Sequence, residues 1–226
     1  MNGIVCAGEV IAGTEWVSRD PAAWWSWDDP KDRPDLRSRH GKPATLLVYH
    51  WTAGNCRMGP DAARRVVQAM RARRREDGSL MDVSVHFVVS WDGIVTQCAD
   101  LGVATVHVGR GINERSIGVE LCWPGTWEQA GKLEQQHRSR MEVRNVRGHR
   151  VECMAPSSEM LAAAVRLGRT LAPASLPLVP GRVEIPRVTA KTGMPIAGAG
   201  EHWCAPTTKI DAAGYVLDGL RADGWR

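Results

Sequence analysis

The run Thr45-Leu-Leu-Val-Tyr49 is apolar and of strand length, and it lies between Pro43 and Gly54. It predicts a buried strand that ends in His50. After Gly59-Pro60-Asp61 the period lengthens: Ala62, Val66, Val67 and Met70 recur on one helical face, arginines stand opposite, and Gly78 lies beyond the end. Residues 83–90 return to alternation, with Val83, Val85, Phe87 and Val89 against Ser84, His86 and Val88. Asp92-Gly93 then predicts a hairpin turn, with Ile94 to Cys98 as the returning strand. In Ser116 to Cys122, Ile117, Val119 and Leu121 face one way while Ser116, Gly118 and Glu120 face the other. Ser157 and Ser158 can cap a helix to about Leu171, with Leu161, Val165 and Leu171 inward. Residues 210–221 read as a terminal helix docking through Val216, Leu217 and Leu220.

Two stretches lack a clear period. Residues 14–43, rich in Trp, Asp, Pro and Arg, read as an irregular lead-in. Residues 124–156, polar and basic, read as a surface insertion with room for a short helix. Strands interleaved with helices make an α/β fold, a central mixed sheet flanked by helices. With no internal repeat and no second core, the division expected is a lead-in over 1–43 and one domain over 44–226.

Composition narrows the class. The 226 residues are 43% hydrophobic and 24% charged, as in ordinary soluble domains. A net charge of +4, carried mainly by arginine, favours anionic partners such as nucleic acid, acidic lipid or bacterial wall. Nucleic acid is set aside because no zinc-finger, RNA-recognition or helix-turn-helix pattern accompanies the charge, and Arg71 to Arg75 closes a predicted helix where cations suit the dipole. The six cysteines form no C-x-x-C pair, so mostly reduced thiols are expected. The first residues lack a basic n-region and contain Glu9, and no stretch has the length of a membrane span. A monomer made in the cytoplasm, with no membrane insertion, is the expectation. Tryptophan is abundant at 10, and Trp24, Trp25 and Trp27 are read as packing the lead-in, with sugar stacking at a cleft rim as the alternative.

His50 at a strand end is held rigidly, and His202 and Asp211 stand nine positions apart near the tail. Two imidazoles and one carboxylate leave a fourth tetrahedral position open, the arrangement of a catalytic zinc. Spacing alone leaves other readings open. His50 can be a core histidine, Cys204 an alternative soft ligand, and His149 in Gly148-His149-Arg150 an alternative to His202.

Four segments, in order, resemble the type 2 N-acetylmuramoyl-L-alanine amidases, the family that also contains the peptidoglycan recognition proteins. They are Leu47-Val-Tyr-His50-Trp-Thr-Ala-Gly54, the hairpin Val83 to Gln97, His107-Val-Gly109 with Asn113 and Ser116-Ile-Gly-Val-Glu120-Leu, and His202 through Lys209-Ile-Asp211. The resemblance implies zinc bound by His50, His202 and Asp211, a catalytic Glu120, Lys209 at the developing oxyanion, and His107 and Asn113 lining the substrate cleft. His86 is assigned a supporting role behind the ligands. The implied partner is peptidoglycan or its muropeptides, and the implied reaction is hydrolysis of the amide between N-acetylmuramic acid and L-alanine. The settings that fit are a phage or prophage endolysin released through a holin, a cytoplasmic muropeptide-recycling amidase and a phage-tail component. A receptor of the same fold that binds without cutting is the alternative class. Asp211-Ala-Ala departs from the family's D-P-G and loses a stiffening proline, and Glu201 replaces the glycine before His202.

Overall fold

The computed structural model describes residues 2–26, 36–39, 43–54, 56–109, 111–131, 140–146, 149–172, 185–189, 198–201 and 214–226. Its frame is a six-stranded mixed sheet. Strand β3 (Ser18–Arg19) comes from the lead-in, β5 (Leu46–Trp51) carries His50, and β6 (Phe87–Val89) with β7 (Val95–Gln97) forms the expected hairpin. Strands β9 (Ser116–Leu121) and β12 (Gly198–Glu201) complete the spatial order β12-β5-β9-β6-β7-β3. The four strands from β12 to β6 run parallel, β7 pairs antiparallel to β6, and β3 is parallel to β7.

Each strand has two faces, and the chain uses them differently. Leu47, Tyr49, Trp51, Phe87, Val89, Val95, Ile117, Val119 and Leu121 project into the main core. Helix α3 (Ser158–Leu171) and helix α4 (Tyr215–Ala222) cover that core through Met160, Ala164, Leu167, Leu171, Val216, Leu217 and Leu220. The cap of α3 is as expected, with Ser157 accepting from the Met160 N–H. Of the residues expected inward, Leu171 is fully buried, and Leu161 and Val165 pack at the margin of the core. The latter two are half-buried and border Gly219 of α4, whereas Ala164 and Gly168 face inward. Gly168 makes the close approach possible, because a Cβ there would lie 2.9 Å from the Tyr49 hydroxyl and 2.8 Å from Leu220. Val88, Cys98 and Cys122 belong to a smaller cluster on the opposite face, under helix α1 (Ala62–Arg71). That helix buries Ala62, Ala63, Val66, Val67 and Met70, the face the period marked.

The lead-in is built into this frame. Trp25 is buried in the smaller cluster, and strand β1 (Val5–Cys6), paired with β2 (Glu9–Val10), is stitched to Gln97. The Gln97 amide accepts from the Val5 N–H at 2.7 Å and donates to the Val5 carbonyl at 2.8 Å, imitating a strand partner. Strand β4 (Leu36–Ser38) pairs with β8 (Val103–Thr105).

The stretch 124–156 corrects the expectation. It holds the short helix α2 (Trp127–Ala130), but also a hairpin of β10 (Met141–Val146) and β11 (His149–Met154) in its own two-stranded sheet. The hairpin is fixed at its base by the Trp123 indole N–H donating to the Met154 carbonyl at 2.9 Å. Along its length the Tyr215 hydroxyl donates to Glu142 at 2.6 Å, Arg144 pairs with Asp218, and the Arg144 guanidinium lies 4.3 Å from the Tyr215 ring centre. Among the described residues, Cys6, Cys56, Cys98, Cys122 and Cys153 are free thiols, and no helix is long and apolar enough to cross a membrane.

At the start of β9 lies a buried polar knot. Arg39 donates to the carbonyls of Leu101, Glu114 and Ser116, each at 3.0 Å, and burial pulls its pKa down to about 10. His86 stands beside it. Its Nδ1 accepts from the Gly118 N–H at 3.1 Å and lies 3.0 Å from the Thr105 hydroxyl, while its Nε2 lies 3.0 Å from both the Val103 carbonyl and Nη2 of Arg39. Burial first, and the Arg39 charge second, lower the His86 pKa to about 3.

Two outcomes follow from this packing. Gly125 holds φ +81° and a Cβ there would meet the Trp51 ring at 2.3 Å, so Gly125→Ala should lower the urea-unfolding free energy by at least about 2 kcal/mol. His86 titrates lower when folded than when unfolded, so the unfolded chain takes up the proton first as pH falls. Its contribution to stability is complete above about pH 6.5 and drains away toward about pH 3. Between pH 7 and pH 5 wild type should lose roughly 2 kcal/mol through this group. Urea midpoints for His86→Gln should show a shallower slope over that window whatever the variant's absolute stability.

Candidate active site

The parallel register of β5 and β9 sets His50 directly beside Glu120, and the register of β6 sets Val88 on the far side of Glu120. All three project from the face opposite the main core. Helix α1 closes the β6–β7 half of that face over Val88. His50 and Glu120 belong to the β5–β9 half, outside the cluster on which α1 packs. Both are buried, at 2% and 9% exposure, at the C-terminal ends of parallel strands, where open α/β sheets place their ligands. A carboxylate beside an imidazole at such a strand end is suited to moving a proton at a bound group.

Above this pair lies His107. Its Nδ1 is 2.9 Å from Nε2 of His50, and the rings meet edge to face at 5.1 Å between centres. Its Nε2 is 3.0 Å from the Ser116 hydroxyl. The ring rests on the strand where Gly118 has no side chain. Asn113, read from sequence as a substrate contact, is buried, and its side-chain oxygen accepts from the N–H groups of His107, Val108 and Gly109 at 3.1, 2.9 and 3.1 Å. In this position Asn113 shapes the loop that carries His107.

His202, Lys209 and Asp211, with the alternative ligand Cys204, lie outside the described residues. What precedes them is described. Strand β12 runs parallel to β5 and pairs Glu201 with Tyr49, one residue before His50. The other candidate, His149, is paired with Val146 at the turn end of the β10–β11 hairpin, whose opposite end is anchored by Trp123. Among the described residues no three His, Cys, Asp or Glu side chains gather as a metal site. His86, expected to support the ligands, is instead locked in the Arg39 knot, with its ring centre 6.3 Å from that of His107.

Three contributors escaped the reading of the sequence. A glycine inside a strand is itself a mark of close approach, so Gly118 had a signal. Ser116 had only its position on the polar face. Arg39, one of many arginines in the lead-in, had none.

The chain matches the family described as N-acetylmuramoyl-L-alanine amidase (Amidase_2) over residues 40–204. Curated protein sequences give no match. Among solved structures, N-acetylmuramoyl-L-alanine amidase LysC from Clostridium intestinale URNW superposes with a TM-score of 0.50 at 13% identity, covering 92% of this chain and 95% of that one. Wild-type PGRP-LB of Drosophila gives a TM-score of 0.48 at 16% identity, covering 84% of this chain and 85% of that one. The first likeness supports the fold, and the match over most of the chain decides the family: the protein belongs to the N-acetylmuramoyl-L-alanine amidase (Amidase_2) family.

Proposed function

We propose that the protein is a zinc-dependent N-acetylmuramoyl-L-alanine amidase, cleaving the amide between the lactyl group of N-acetylmuramic acid and L-alanine of the peptidoglycan stem. The observation that carries this reading is the register of β12 on β5. Glu201 is paired beside Tyr49, so the residues that immediately precede His202 and His50 in the sequence lie side by side in the sheet, with Lys209 and Asp211 further along the same segment. His50, His202 and Asp211 offer two imidazole nitrogens and a carboxylate, a donor set that suits zinc and leaves a fourth position open. His50 fits that role, since its ring is buried and held by a second imidazole, as ligating histidines are.

When bound, zinc supplies a Lewis acid and acidifies water at the open position. The residues of the chain do the rest. Glu120, level with His50, takes a proton from the attacking water and returns it to the leaving nitrogen. Oxygen adds to the lactyl carbonyl carbon, the C–N bond breaks, and alanine leaves with a free amino group. Lys209 stabilises the oxyanion formed on the way. The setting we infer is wall lysis by a phage or prophage endolysin, in keeping with a net charge of +4 facing an anionic polymer.

Purified protein on cell-wall sacculi should release new N-terminal alanine without new reducing sugar, and chelator should stop it. His50→Ala and Asp211→Ala should lose zinc and activity together. Glu120→Gln should keep zinc and KM while kcat falls about 10²–10⁴-fold. Wild-type turnover by Glu120→Gln, or full zinc retention by His50→Ala, would contradict the assignment, and sacculus binding without alanine release would indicate a receptor.

A further inference from the structure

We propose that His107 is a positioning residue that sets the tautomer of His50, making Nδ1 the nitrogen His50 presents to zinc, and that Gly118 and Ser116 form the seat of the His107 ring. The proposal rests on the zinc reading above. Its starting point is the 2.9 Å contact between Nε2 of His50 and Nδ1 of His107. One of these nitrogens donates and the other accepts, which allows two proton arrangements. If His107 donates, the Nε2 lone pair of His50 is consumed and the His50 proton sits on Nδ1, so neither nitrogen is available to a metal. If His50 donates from Nε2, its Nδ1 carries a lone pair. His107 then bears its own proton on Nε2, facing the Ser116 hydroxyl at 3.0 Å, a group able to accept it. Only the second arrangement keeps the contact and makes His50 a ligand.

The ring of His107 is held where this exchange requires it. A Cβ on Gly118 would lie 2.7, 2.8 and 2.9 Å from its Cγ, Nδ1 and Cδ2, so any larger residue displaces the ring. Asn113 fixes the backbone from His107 to Gly109 from the other side. Gly118 has no left-handed φ, so alanine there disturbs the ring and not the backbone.

The test is zinc affinity by competition with a chromophoric chelator, alongside melting temperatures of the metal-free proteins. His107→Phe and Gly118→Ala should weaken zinc binding about 10–100-fold while remaining folded. His107→Asn, whose carbonyl oxygen can take the place of Nδ1 as acceptor, should restore most of the loss. Should Gly118→Ala fail to fold, Ser116→Ala addresses the same seat and should weaken zinc binding in the same direction. Long-range proton–nitrogen spectra of the zinc-loaded protein should show His50 protonated on Nε2. Wild-type affinity in folded His107→Phe together with folded Gly118→Ala or Ser116→Ala, or a proton on Nδ1 of His50, overturns the proposal. Absence of zinc binding by wild type itself would instead overturn the amidase reading, and the positioning role with it.

Discussion

Parallel pairing of β5 with β9 fixes the relative height of two segments far apart in the chain, and with it the meeting of His50 and Glu120. A slip of one residue would turn one of them into the main core and bring an apolar neighbour to the surface of the site. The register is enforced from the opposite face, where Leu47, Tyr49, Ile117, Val119 and Leu121 are all buried. Hydrophobic burial on one side of the sheet therefore positions chemistry on the other. The same logic extends to β12, which buries Ala199 against this core and pairs its last residue, Glu201, with Tyr49.

Most of this frame was legible because the residues that build it follow the ordinary rule of apolar inward. Alternation in Ser116 to Leu121 and the helical period after Asp61 both lead to the observed elements. Strand β10 inverts the rule and so gave no signal. Its exposed positions include Met141 and Val143, while Glu142 and Arg144 turn toward α4, where Tyr215 and Asp218 receive them. A strand that binds through charge and hydroxyl contacts looks like a surface loop to any reading of hydrophobicity. Helix α3 shows a gentler version of the same effect. Large residues mark the face, but the tightest contact is made by Ala164 and Gly168, whose smallness lets Tyr49 and α4 come close.

The site divides in the same way. His50 and Glu120 could be picked out because each stands in a strand whose pattern says which way it points. The Arg39 knot could not, because it joins the lead-in, the β8 segment and the start of β9 through backbone carbonyls, which carry no side-chain signature. Burying this guanidinium carries a desolvation cost, visible in its lowered pKa. What the arrangement provides is rigidity at the floor of the site: three separate segments are held to a single planar fork.

Gly118 shows how tightly the two histidines of this region are bound to one position. Its N–H donates to Nδ1 of His86. Its missing side chain admits the ring of His107 on the other side of the same peptide. The backbone of one residue thus holds one imidazole, and the space above it fixes the place of the other. A polar side chain at this point could supply a hydrogen bond to either ring, but it would occupy the volume that His107 needs to reach His50. Glycine in the middle of a strand weakens the strand slightly. Here that weakness is the condition for bringing His107 within hydrogen-bonding distance of His50, and neighbouring strands on both sides of β9 offset it.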